Sequence, residues 1–129
     1  MSNIKTYTAK ATWYNDSEIT LQVNHDILTP ELATFINDFW GESGDRLNAE
    51  DGDVVRAVIR LFAARAISCL MGQGGACFGS NKLDSGMWWT KKVLDDQGEG
   101  WPDAEDLGIL ITSCAIESVG FDDVELEAA

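Results

Sequence analysis

Histidine is almost missing from this sequence. His25 is the only one, and a lone imidazole with no nucleophile or second ligand nearby in sequence is not expected to be catalytic. Cysteine is scarce as well: Cys69, Cys77 and Cys114 are odd in number and widely spaced, with no Cys-x-x-Cys pair and no Cys/His cluster. That spacing excludes a structural zinc site and predicts reduced thiols in a cytoplasmic setting. Cys69 and Cys114 fall on apolar faces and are expected to be buried, whereas Cys77 lies among glycines and is expected to be exposed. No long apolar run occurs. The most apolar stretch, Val54 to Met71, is broken by Arg56, Arg60 and Arg65, charges too costly for the centre of a bilayer, and the opening Met-Ser-Asn-Ile lacks a basic segment leading into an apolar one. Neither a membrane span nor a secretory leader is expected. Positive charge is the last shortage, with 9 Lys and Arg against 22 Asp and Glu, a formal net charge of −13. A surface this negative repels nucleic acid and anionic lipid and attracts basic surfaces, although acidity also serves solubility alone.

What is present reads as one globular domain over residues 1–129. Hydrophobic residues make up 45%, enough for a core that buries roughly two-thirds of the unfolded chain's surface. Tyr7, Ala9, Ala11 and Trp13 alternate with Thr6, Thr8, Lys10 and Thr12; after a Tyr14-Asn15-Asp16-Ser17 turn, Ile19, Leu21 and Val23 alternate with Thr20 and Gln22. This period of two predicts an opening β-hairpin. Thr29-Pro30-Glu31 then supplies an N-cap, a proline at the first helical position and an acid at the positive end of the dipole. The first helix is expected to run to Trp40 and to bury the stripe Leu32, Phe35, Ile36, Phe39 and Trp40. A polar linker, Glu42 to Asp53, leads to a second helix of about eighteen residues, apolar around most of its circumference and therefore central, with Arg56 and Arg60 on an edge that faces the acidic linker.

The segment Gly72 to Ser80 holds too many glycines for regular structure and is expected to be a loop. It is not a phosphate loop, because the Gly-Lys-Ser/Thr ending is absent and a helix precedes it. A shorter third helix through Met87-Trp88-Trp89 to Asp95 ends at Gly98-Glu99-Gly100-Trp101-Pro102, and Leu107 to Ser118 followed by Asp122 to Glu127 suggests a closing hairpin. The fold class is therefore α+β: a four-stranded antiparallel sheet made of two terminal hairpins, with two main helices and a shorter third packed on one face.

Chemistry-bearing motifs are few. His25-Asp26 has no nucleophile or second ligand nearby and is expected to stabilise a turn through an Asx-type bond. Asp95-Asp96, Glu105-Asp106 and Asp122-Asp123 lack the spacing of a calcium loop, so neither a metal nor a cofactor is expected. The acids nevertheless fall in two blocks: residues 93–129 hold 11 acids and no Lys or Arg, and residues 16–53 hold 10 acids and one Arg. Five tryptophans are many for this length; core packing is the commoner fate, but Trp88, Trp89 or Trp101 could anchor an interface.

Three segments carry a resemblance: Asn24 to Leu32 at the start of the first helix, Gly52 to Leu61, and the Gly100-Trp101-Pro102 turn. In these the chain resembles a family of small acidic bacterial proteins of unknown function, often encoded on plasmids, phages and integrated elements. The resemblance implies a mobile-element accessory protein and transfers no catalytic residue. With the acidic blocks it leads to a first expectation: a protein, not an enzyme, that binds a basic surface, such as that of a host defence or nucleic-acid-handling protein, by presenting carboxylates where phosphates normally sit. Its contacts would be Asp95, Asp96, Asp103, Glu105, Asp106, Asp122 and Asp123, with Trp88 or Trp89 as the apolar anchor. Direct nucleic-acid or membrane binding is not expected, and a homodimer is left open. The alternative is a small-ligand module with a pocket between the Gly-rich segment and Trp88-Trp89. An enzyme ranks last, since neither a nucleophile and base pair nor a metal cluster is visible.

Overall fold

A computed structural model describes residues 3–11, 17–79, 83–117 and 125–126. The opening hairpin forms as the alternation requires: β1 (Ile4–Lys10) pairs antiparallel with β2 (Glu18–Asn24) in a register that sets Tyr7 opposite Leu21 and Ala9 opposite Ile19. Ala11 N donates to Ser17 O at 2.8 Å to close the ladder, and the predicted turn beyond it, with Trp13, lies outside the described residues. Thr29 caps α1 (Pro30–Phe39) by accepting from Leu32 N at 3.3 Å. The central helix, α3 (Val54–Gly72), is capped by Asp53 and buries eleven residues from Val55 to Leu70, as its nearly continuous apolar circumference predicts.

The linker between them is not featureless. It contains α2 (Ser43–Ala49), which lets Arg46 reach back to α1. Glu50, just past α2, accepts from Arg56 Nε at 2.9 Å and from Arg60 Nη1 at 3.0 Å, so the pair of arginines does meet the acidic linker.

The sheet is four-stranded and antiparallel, in the order β1-β2-β4-β3, and the fold is α+β. Among the described residues its fourth strand is not the one expected. The glycine-rich segment, read as a loop, supplies β3 (Gly75–Phe78), which pairs with the far half of β4 (Ile109–Glu117). Gly74 and Gly75 sit at φ of +93° and +90°, so the glycines make the reversal out of α3 and leave Ala76, Cys77 and Phe78 free to extend. The closing hairpin's second strand falls largely outside the described residues; Glu125 and Leu126, which are described, are in no strand.

One sheet face is apolar: Ile19, Leu21, Val23, Ile109, Ile111, Cys114 and Ile116 are all buried under α3 and α4 (Leu83–Gln97). The phase change in β4, from odd to even positions, is a bulge. Thr20 pairs with Ser113 and Leu21 with Ile111, so Thr112 is the extra residue, and its hydroxyl donates to Thr20 O at 3.2 Å. Because β3 covers only residues Cys114–Glu117, the first half of β4 has no strand partner on that side among the described residues, and α4 packs against it. Gly86 lies against the Ile111 carbonyl, and Thr90 Oγ1 accepts from Ile111 N at 3.0 Å while donating to Gly86 O at 2.7 Å. A short α5 (Ala104–Leu107) joins α4 to β4.

The first helix departs from its expected phase. Its buried residues are Ala33, Ile36 and Asn37, whereas Phe35 and Phe39 are 71% and 50% exposed. Asn37 can be buried because its amide is satisfied, donating to Ser43 O at 3.2 Å and accepting from Arg46 Nε at 2.8 Å.

Candidate partner-binding site

The carboxylates singled out in the sequence converge only in part. Asp95 near the end of α4, Asp103 before α5 and Glu105 in its first turn line one cleft of about 360 Å³ together with Lys91, Trp101 and Pro102. The turn between α4 and α5 makes this possible. Gly98 and Gly100 take φ of +73° and +96°, reversing the chain so that α5 folds back beside the helix it has just left. Trp101 then pins the turn to the core, edge-on to Phe62 with centroids 5.7 Å apart and tilted against Trp40 at 6.5 Å. The indole N–H groups of both Trp40 and Trp101 are buried without an acceptor among the described residues.

The cleft carries three carboxylates against one ammonium. Lys91 Nζ lies 3.4 Å from Glu105 Oε1, and the Glu105 carboxyl is held below its usual range first by its own backbone N–H and then by Lys91. Asp95 and Asp103 have no ion pair among the described residues. Trp88, Lys91 and Asp95 stand at i, i+3 and i+7 on α4, one stripe that carries Trp88, 58% exposed, about 10 Å up the helix from Asp95. Trp89 turns the other way and packs partly buried against the core, meeting Trp88 edge-on at 4.8 Å. Of the two adjacent rings, Trp88 is therefore the exposed one and Trp89 the one that packs on the core.

The remaining expected contacts lie elsewhere. Asp96 points to the opposite side of α4, into a depression shared with Arg65, Cys69 and Gln73, where its charge joins burial in pushing the Cys69 thiol up. Asp106 is exposed on α5 but does not line the cleft. Asp122 and Asp123 lie outside the described residues. Lys91 is one of the cations, with Arg56 and Arg60, that the sequence offers to neutralise the acids, but nothing local in the chain sets it beside Glu105 in this cleft.

Other motifs resolve as structure. His25 Nε2 meets Tyr7 Oη at 2.9 Å, and the Asx-type bond at that turn is made by Asn24, whose Oδ1 accepts from Asp26 N at 3.0 Å, rather than by Asp26 itself. Gly72 and Gln73 line the Asp96 depression. A second cavity, about 240 Å³ between β1 and α3, gathers Lys10, Arg56 and Arg60 around Tyr7 and Glu50. Among the described residues no three His, Cys, Asp or Glu side chains are grouped to hold a metal ion, and no helix is long and apolar enough to cross a membrane.

Fold and cleft define a small acidic α+β protein in which three carboxylates, those of Asp95, Asp103 and Glu105, meet at a helix turn. The chain belongs to a family described as a protein of unknown function, DUF2528, which matches residues 18–126. It is 34% identical over 139 aligned positions, covering all of both chains, to protein ea10 of Escherichia phage lambda, and equally so to the lambda prophage-derived protein ea10 of Escherichia coli O6:H1 (strain CFT073). The phage and prophage origin of these relatives agrees with the mobile-element association that the resemblance implied. No solved structure matches the chain.

Proposed function

We propose that this phage-associated chain is a non-enzymatic accessory protein that binds a basic protein surface through the α4–α5 cleft. One observation carries the reading: Asp95, Asp103 and Glu105, separated in sequence, share a cleft beside Trp101, with only Lys91 to offset them. Carboxylates so placed offer a lysine- or arginine-rich surface the acceptors it would otherwise find on a phosphate backbone. Trp88, on the same stripe of α4, supplies exposed aromatic area of the kind that anchors interfaces. The target would be a host protein that normally handles nucleic acid or acts in defence. The small-ligand reading, with a pocket between the Gly-rich segment and Trp88-Trp89, draws less support, because Gly72 and Gln73 line a depression with Arg65, Cys69 and Asp96 instead of with the tryptophans.

Affinity capture from a host lysate tests this, comparing the wild type with the Asp95→Lys/Asp103→Lys variant at low and high salt. Retention of a basic protein that both the variant and salt abolish is the expected result. Identical retained proteins for wild type and variant would refute the assignment.

A further inference from the structure

The least explained feature of the molecule is the outward face of α1. Phe35, 71% exposed, and Phe39, 50% exposed, stand at i and i+4 and form a single aromatic ridge, although a ten-residue helix could have placed these rings inward. The ridge is firmly seated. Phe39 lies against Gly100 and meets Trp40 edge-on at 5.1 Å, and Trp40 leads through Trp101 to Phe62, so a line of rings ties Phe39 to the core.

Carboxylates surround it. Glu31 precedes Phe35 by one turn, Asp38 follows it by three residues, and Glu99 adjoins the Gly100 that Phe39 touches; all three are exposed and none is ion-paired among the described residues. Two cations lie close by, and both are engaged: the Arg46 guanidinium is taken up by Asn37 and by the carbonyls of Asn37, Trp40 and Gly41, and that of Arg65 lies 4.7 Å over the Trp40 ring. A ridge of apolar rings with an unneutralised acidic rim suits one class of occupant, an amphipathic helix with a narrow apolar seam edged by Lys and Arg. A second copy of this chain suits it poorly, since both partners would bring the same acids to the rim and a formal net charge of −13 each.

We infer that the Phe35–Phe39 face of α1 is a docking surface for a basic amphipathic helix of a partner protein. It rests on the reading of the chain as a binder of basic protein surfaces and adds a second contact area, separate from the α4–α5 cleft.

The probe is a synthetic Leu/Lys amphipathic peptide of about eighteen residues, long enough to hold a helix against a partner, titrated by fluorescence polarisation. Its Leu/Glu counterpart and a scrambled Leu/Lys sequence serve as controls. The wild type should bind the Leu/Lys helix at least about tenfold more tightly than either control. Phe35→Ser, at a position too exposed to disturb folding, should weaken binding by at least about tenfold, and Glu31→Lys/Asp38→Lys should do the same, whereas Asp95→Lys/Asp103→Lys should leave it within about twofold. Binding kept in Phe35→Ser but lost in Asp95→Lys/Asp103→Lys would overturn the docking surface while leaving the cleft reading intact. No binding by the wild type, equal binding of the scrambled peptide, or a wild-type dimer that Phe35→Ser converts to monomer would also overturn it.

Discussion

Arg46 donates from Nε to Asn37 Oδ1 at 2.8 Å, and this contact between α2 and α1 settles how the first helix ends. The same guanidinium reaches the carbonyls of Asn37, Trp40 and Gly41, satisfying acceptors that α1 leaves open at its C-terminus. Arg46→Ala should therefore lower stability by roughly 2 to 3 kcal/mol, since it also strands the buried Asn37 oxygen. Arg46→Lys should recover less than about half of that loss, because an ammonium cannot reproduce the fork. Urea unfolding of the three proteins measures both effects.

Thr90 holds α4 against the first half of β4, accepting from Ile111 N and donating to Gly86 O. Thr90→Val keeps the shape and leaves a buried N–H without a partner, at a cost of about 1 to 3 kcal/mol, while Thr90→Ser should cost less. Gly86→Ala is expected to be worse, near 3 kcal/mol, because its methyl would overlap the Ile111 carbonyl, which is backbone and cannot swing aside. Thermal melts of the three variants give the order.

Glu50 has its carboxyl held below the usual 4.5 chiefly by hydrogen bonds from Arg56 and then Arg60. A depressed folded-state value means that the contribution is fully present above pH 4.5 and is lost as the pH falls through the lower folded value. Glu50→Gln should thus be less stable than wild type at neutral pH, with the gap closing as acid is added below pH 4.5. The arginines are well exposed, so the effect is small and shrinks in high salt. Denaturant midpoints followed from neutral to acid pH check the sign.

The three thiols should separate cleanly. Cys77 is exposed on the edge strand β3, whereas Cys69 and Cys114 are buried, and burial pushes the Cys114 thiol up to about 11. With a thiol reagent at about pH 8, one group per chain should react quickly and the other two only after unfolding, and Cys77→Ser should remove the fast phase.

Much of this fold was legible in the chain because its signals are local. The Thr29-Pro30 cap, the apolar circumference of α3 and the alternation in β1 and β2 each follow from residues near in sequence. What was hidden depends on partners distant in the chain. The outward phase of α1 rests on Arg46 satisfying a buried Asn37, and no periodicity can disclose that bond. Strand β3 was masked by the glycines that make its turn, and its four residues become a strand only because β4 offers an edge. The cleft was half visible: Asp95, Asp103 and Glu105 were picked by composition, but Lys91 and the reversal at Gly98 and Gly100 decide their company.

The most direct test of the cleft as the basic-partner surface is an amide NMR titration of the labelled protein with a short arginine-rich peptide at low salt. The largest shifts should fall on Asp95, Trp101 including its indole N–H, Asp103 and Glu105, and should vanish in Asp95→Lys/Asp103→Lys. Shifts spread evenly over the acidic surface, or centred away from the α4–α5 turn, would contradict the account.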